Sequence, residues 1–157
     1  MAEFSNVFQP TFDELKTGFS IKGKWKSDIF KNNYPLVLEL GCGKGEYSVG
    51  LARKYPNKNF LGIDVKGSRM WKGASDALNK RMSNVAFLRT RIEFIEYCFA
   101  ENEVDEIWIT FPDPQIKKKR AKNRLTHPKF LQLYSNIMQD NGLIHLKTDS
   151  QFLHGYT

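Results

Sequence analysis

From Pro35 onward the chain alternates short apolar runs with stretches whose apolar residues recur at helical spacing. Leu36–Leu40 is an apolar run ending at Gly41, which predicts a buried strand. Lys44 to Tyr55 carries Tyr47, Val49, Leu51 and Ala52 at helical spacing and stops at Pro56, so a helix is expected there. Asn59–Val65 predicts a second strand, Arg69–Met82 a second helix and Asn84–Leu88 a third strand. A short helix follows through Ile92–Ala100, then a fourth strand, Val104–Thr110. Thr126 is placed to N-cap a helix running to Met138, with Pro128 in its first turn, where a missing N–H is harmless. Asn141-Gly142 then predicts a turn into a fifth strand, Leu143–Lys147. Strands alternating with helices mean an α/β fold with a parallel sheet and right-handed crossovers.

Residues 1–33 break this rhythm and read as a separate lead-in to a main domain at 34–157. Phe4, Phe8, Phe12, Phe19, Trp25 and Phe30 are interleaved there with Lys16, Lys22, Lys24 and Lys26. Pro10 interrupts any helix, so an extended or broken segment is expected, its aromatics packed on the main domain. Base stacking by one of them is the minor alternative. At the other end, residues 151–157 read as a helix being entered with no stop signal, which predicts a fold that continues further.

Composition narrows the class. An apolar fraction of 41% over 157 residues suits one globular domain with a sizeable core. The net charge is +7, and six cations fall between Lys117 and Arg124, which points to an anionic partner. Cys42 and Cys98 form neither a disulfide framework nor a metal spacing, and His127, His145 and His154 are scattered. No metal site is therefore expected. No apolar run approaches the roughly 20 residues needed to span a bilayer. The N-terminal Met1-Ala2-Glu3-Phe4 is not a signal peptide, so a soluble cytoplasmic protein is expected.

Two stretches carry candidate chemistry. The first, Glu39-Leu40-Gly41-Cys42-Gly43-Lys44-Gly45, joins strand one to helix one. Its glycines allow a sharp turn and the close approach of a ligand. Asp64, at the carboxyl end of strand two, is suited to the hydroxyls of a ribose. A dinucleotide fingerprint would demand Gly or Ala at 46, where Glu46 stands, and an acid opening the helix would repel a pyrophosphate. A cofactor with a ribose, no phosphate and cationic centres fits better, and S-adenosylmethionine meets that description. A glycine-rich turn that binds nothing stays open at this stage.

The second stretch runs from Phe111 to Arg124: Phe-Pro-Asp-Pro, then Gln115, Ile116 and the six cations. Pro112 and Pro114 deny Asp113 a helical neighbourhood, so the acid is presented beside a basic loop. An ordinary solvated loop after a strand is the bland alternative.

Together these motifs make the chain resemble the tRNA (guanine-N7-)-methyltransferase family, class I S-adenosylmethionine-dependent enzymes that modify the guanine at tRNA position 46. The matching segments are Lys22-Gly23-Lys24-Trp25, Leu38 to Gly45, Gly62-Ile63-Asp64, Phe111 to Arg124 and Lys147-Thr148-Asp149. The resemblance implies a Rossmann-like sheet, about five of whose parallel strands are present and whose C-terminal strands are missing. It implies cofactor contacts at Glu39, at Gly41 and Gly43 of the turn, at Asp64 and at Asp113. It makes Asp113 the catalytic or substrate-positioning acid and puts tRNA contacts at Lys117 and Asp149. Asp149 equally suits the N-cap of the next helix. The chain departs from the family pattern at Arg91, where an acid is expected to hold the adenine amine, and at Gln115, where many members have Trp. Arg91 is kept among the cofactor positions, with backbone groups or another side chain reading the base. A methyltransferase for another substrate, or an inactive or RNA-binding fragment, is the functional alternative.

Overall fold

A computed structural model describes residues 4–113 and 115–156. Six parallel strands form one sheet in the order β1-β4-β3-β2-β5-β6. They are β1 (Val7–Phe8), β2 (Leu36–Leu40), β3 (Asn59–Asp64), β4 (Val85–Arg89), β5 (Val104–Thr110) and β6 (Met138–Lys147). Every residue of β2 and β3 is buried, as expected for central strands covered on both faces. The helices are α1 (Phe12–Gly18), α2 (Glu46–Lys54), α3 (Gly67–Asn79), α4 (Ile95–Cys98), α5 (Pro128–Ile137) and α6 (Gln151–Tyr156). Trp25–Phe30 forms a π-helical turn, and Ile92–Phe94 and Lys118–Asn123 form 3₁₀ turns.

Side chains leave the strands on alternate faces and build two cores. Leu36, Leu38, Leu40, Ile107 and Ile109 face one layer with Ile95, Phe99, Phe130 and Tyr134. Val37, Phe60, Val85 and Phe87 face the other with Val49, Met70, Ala74 and Ala77. Close packing on that second side depends on glycine. A Cβ on Gly73 would lie 2.7 Å from the Lys44 carbonyl oxygen and 3.0 Å from the Gly45 Cα, so α3 touches the turn before α2 backbone to backbone. The Gly73 N–H donates to that carbonyl at 2.8 Å.

The lead-in packs as its aromatics predict and also lengthens the sheet. Val7 and Phe8 pair with Phe87 and Leu88 of β4. Trp25 is fully buried, donates its indole N–H to the Cys98 carbonyl at 2.9 Å, and stacks on Phe99 at 5.6 Å between ring centroids. Glu103 secures the segment by accepting from the N–H groups of Gly23, Trp25 and Ala100.

Two of the boundaries that differ from the sequence expectation have a clear cause. His127, not Thr126, caps α5, its Nδ1 accepting from the Lys129 N–H, because Pro128 occupies the first helical position and the cap is the residue before it. The last strand begins at Met138 rather than Leu143. Gly142 does not take the left-handed backbone of a tight turn. Instead the pairing jumps from Val104 with Met138 to Glu106 with Leu143, an irregularity that absorbs the Asn141-Gly142 segment inside the strand.

Candidate active site at the carboxyl edge of the sheet

Strand order reverses direction between β2 and β5, which are neighbours although β3 and β4 lie between them in the chain. Crevices outside the carboxyl ends of parallel strands at such a switch are the usual ligand sites of open α/β sheets. The glycine turn follows β2 and the Pro-Asp loop follows β5, so the two stretches singled out in the sequence flank this crevice.

Gly41, Gly43 and Gly45 all have positive φ (71°, 55° and 76°), and the turn folds back so that the N–H groups of Gly41 and Cys42 donate to the Ile63 carbonyl. Asp64 fixes the turn from β3. One carboxylate oxygen accepts from the Gly43 N–H at 2.8 Å and the other from the Lys66 N–H at 3.0 Å. Glu39 lies beneath, only 4% exposed, and accepts from the hydroxyls of Ser48 on α2, at 2.6 Å, and Thr110 at the end of β5. Burial pushes the Glu39 carboxyl up, against the pull of those hydroxyls. Burial, reinforced by the charges of Glu39 and Asp64, also pushes the Cys42 thiol well up, which excludes it as a ready nucleophile.

Beside Asp64, a cleft of about 360 Å³ opens at the carboxyl ends of β3 and β4. Val65, Thr90, Arg91 and Phe94 line one side, and Thr11 and Phe12 of the lead-in the other. Phe12 packs on Phe94 at 4.9 Å between centroids. The Arg91 guanidinium turns to Glu93 at 2.8 Å and lies over the Phe94 ring. Burial raises the Glu93 carboxyl, but the Arg91 hydrogen bond and nearby cations outweigh it and hold it below its usual value. What Arg91 offers the cleft is therefore a paired cation.

Asp113 is exposed, and its carboxylate accepts from the Gln115 N–H at 2.9 Å. Pro114, half of the expected proline bracket, lies outside the described residues. Two residues to either side of Asp113, Phe111 and Gln115 have φ of 46° and 50°, a left-handed backbone costing about 1–3 kcal/mol per non-glycine residue. The Phe111 N–H is pinned to the Lys147 carbonyl at 2.7 Å. Asp113, Gln115, Lys117 and Arg120 line an open cleft of about 400 Å³.

The basic run divides. Lys117, Lys118, Lys119, Arg120 and Lys122 are exposed on or beside the 3₁₀ turn. Arg124 is 4% exposed and donates to the carbonyls of Gln115 (3.1 Å) and Ile116 (3.4 Å). The charge run predicts all six cations facing an anionic partner, and five do face solvent. Arg124 is a bond to the loop itself. Asp149 is exposed after β6, and the capping place before α6 belongs to Ser150, whose hydroxyl accepts from the Leu153 N–H at 3.1 Å. The partners of Glu39 and the inward turn of Arg124 could not be found by spacing, since Thr110 is 71 residues from Glu39. No helix among the described residues is long and apolar enough to cross a membrane. The described residues also hold no cluster of His, Cys, Asp or Glu suited to a metal.

Comparison with known proteins agrees with this architecture. Residues 33–156 match the family model described as "Putative methyltransferase". The chain is 63% identical over 156 residues to the tRNA (guanine-N(7)-)-methyltransferase of Christiangramia forsetii, covering 99% of this chain and 70% of that protein. It is 56% identical to the protein of the same name from Porphyromonas gingivalis, covering all of this chain and 65% of the relative. For the Bacteroides fragilis protein of that name the identity is 53%, with 62% of the relative covered. The chain thus spans about two thirds of the length of these relatives. Among solved structures, the 16S rRNA methyltransferase KamB aligns with a TM-score of 0.61 at 19% identity, over 80% of this chain and 59% of that one. An antibiotic-related methyltransferase aligns with a TM-score of 0.60 at 20% identity, over 72% and 57%. Those likenesses establish a class I, Rossmann-like methyltransferase fold. With its family model spanning nearly all of the sheet and its relatives more than half identical, the chain belongs to the tRNA (guanine-N(7)-)-methyltransferase family.

Proposed function

We propose that the protein transfers the methyl group of S-adenosylmethionine to N7 of a guanine in tRNA, the one at position 46, as a cytoplasmic enzyme. The observation that carries this reading is the meeting, at one switch point, of a glycine turn held by an acid and an exposed acid followed by a cationic loop. Family membership supports the reaction, and the relatives' names support the substrate.

The residues suit the cofactor. Gly41 leaves open space where a Cβ would stand, Asp64 is set for ribose hydroxyls, and the cleft between Phe12, Val65 and Thr90 has the size of a nucleobase site. Arg91 would flank the base through its backbone and its paired side chain. Glu39 has both oxygens engaged by hydroxyls, so it contributes negative charge beneath a bound cation. When bound, S-adenosylmethionine supplies an electrophilic methyl on a sulfonium.

Guanine N7 has a lone pair and no proton, so no general base is required, and the absence of a histidine at Asp113 is no obstacle. What the chain supplies is placement and charge. Asp113 would accept from the guanine edge and stabilise the positive charge that develops on the base as N7 is methylated. Lys117 and the exposed cations after it would bind phosphates and set register without reading sequence. Asp149, free of any capping duty, would accept from the guanine or a ribose hydroxyl. The lead-in, through Gln9 to Phe12, walls the cofactor cleft of the main domain.

Incubating the protein with labelled S-adenosylmethionine and bulk tRNA, then digesting to nucleosides, tests the reading. Label should appear in 7-methylguanosine. Label confined to another nucleoside, or none in tRNA, would refute it.

A further inference from the structure

One cation of the basic run faces inward while its five neighbours face solvent. A buried guanidinium is costly unless its donors are satisfied, so a position like that of Arg124 calls for a task. Its Nε–H and a terminal N–H donate to the Gln115 and Ile116 carbonyls, nine and eight residues upstream. Gln115 is also the residue whose N–H donates to the Asp113 carboxylate. Its φ of 50° is one a glutamine keeps only where surrounding bonds enforce it.

Arg124 is itself anchored to the rigid part of the molecule. Its own carbonyl accepts from the His127 N–H at 2.9 Å, next to α5. The following carbonyl, of Leu125, accepts from the hydroxyl of fully buried Tyr134 on that helix at 2.8 Å. The guanidinium therefore ties the Gln115 carbonyl to a segment that hydrogen bonds fix to α5, and the N–H on the other side of the Gln115 Cα meets the Asp113 carboxylate.

We infer that Arg124 is a positioning residue for Asp113, not a ligand of tRNA phosphates. It holds Gln115 in its strained conformation by the carbonyl, so that the N–H of the same residue orients the carboxylate toward the reacting base. The inference rests on the methyltransferase reading above. Lysine cannot replace arginine here, because a single ammonium does not present the planar fork that meets two successive carbonyls.

The test compares Arg124→Lys and Arg124→Ala with Lys118→Ala. Misplacing a reacting group by an ångström costs about 100-fold in rate, so kcat should fall about 10- to 100-fold in both Arg124 variants. Their affinity for S-adenosylhomocysteine and the slope of tRNA affinity against salt should stay at wild-type values. Lys118→Ala, which removes an exposed cation, should lower that slope. A slope lowered in the Arg124 variants as in Lys118→Ala, or an undiminished kcat, overturns the inference. So does loss of folding in both variants, read as lost cooperative unfolding, which would make Arg124 a stability residue only. A readout independent of turnover is amide exchange at Gln115, which should be about 10-fold faster in Arg124→Lys, whereas equal rates overturn the inference. Failure of the wild-type protein to methylate tRNA would instead remove the reading beneath it, and the exchange result would still judge the hold on the loop.

Discussion

Glu39 and Asp113 stand at the same edge of the sheet, one in β2 and the other on the loop after the neighbouring β5, in opposite surroundings. Glu39 is inside β2, almost wholly buried, with its oxygens engaged by hydroxyls from α2 and β5. Asp113 is exposed beyond β5, on a loop with left-handed backbone on either side. The difference follows from what each would meet. A small cofactor of fixed shape is best received by groups already locked in place, which is the condition of Glu39, Asp64 and the glycine turn. A folded RNA arrives as a large surface, and the acid that meets its base must reach out of the protein. Strain and hydrogen bonds hold that acid where packing cannot.

The sharpest way to break the comparison is Asp113→Asn, which keeps the loop's shape and removes the charge. If Asp113 stabilises the cation forming on guanine, methyl transfer should fall at least about 100-fold, as when a pre-aimed electrostatic partner is lost. Binding of tRNA and of S-adenosylhomocysteine should hardly change. Turnover within a factor of two of wild type would take Asp113 out of the mechanism and leave only its backbone role.

On the rigid side, Gly73→Ala probes the contact between α3 and the glycine turn. Alanine gains about 1 kcal/mol of helix propensity over glycine. Against that, its Cβ would sit 2.7 Å from the Lys44 carbonyl oxygen, a backbone atom that cannot rotate away. Overpacking of this kind costs about 1–3 kcal/mol, so a net loss of stability is expected together with weaker S-adenosylhomocysteine binding. Urea unfolding and titration calorimetry measure both. A variant more stable than wild type would mean that the turn yields easily and that the cofactor end is less preorganised than its hydrogen bonds suggest.

The two regions also differ in how far the sequence disclosed them. β2 runs over Leu36–Leu40 as the apolar run predicts, because a central strand buried on both faces is rich in apolar residues. β5 keeps its predicted bounds, Val104–Thr110, although Asp105 and Glu106 interrupt its apolar run and stay half-buried. The glycine turn and Asp64 were legible because backbone geometry demands glycine there and the strand end fixes the acid. The basic loop was legible only as a charge run. Nothing in Lys117 to Arg124 tells which cation turns inward, since that depends on how the loop folds the Gln115 and Ile116 carbonyls back toward it. The two-residue β1 was equally hidden, being too short to carry a period and defined only by its partner on β4. The lead-in wall of the cleft shares that cause, because Phe12 meets Phe94 across 82 residues of chain.

The exposed cations offer a finer comparison within the loop. Lys117→Glu with Lys119→Glu should weaken tRNA binding and flatten its salt dependence. Each lost phosphate contact lowers the log–log slope by roughly 0.7–0.9, so a change of about 1.4–1.8 is expected if both lysines touch phosphate. An unchanged slope would show that the exposed run makes no phosphate contacts.

The smallest effect, and the one most specific to the buried acid, is the pH dependence of Glu39→Gln. Burial raises the folded-state carboxyl above its ordinary value of 4.5. A group shifted that way contributes stability that is fully present below 4.5 and is lost as pH rises through the raised folded value. Glutamine does not titrate, so it carries no such dependence. The stability of the wild-type protein relative to Glu39→Gln should therefore decline from acid toward neutral pH. Urea unfolding of both proteins at about pH 4 and pH 7 gives the comparison, and effects of other titrating groups cancel in the difference. A constant difference between the two proteins would mean that the Ser48 and Thr110 hydroxyls fully offset burial. Glu39 would then carry its charge under the glycine turn at no cost in stability, a floor of fixed negative potential beneath whatever cation binds above it.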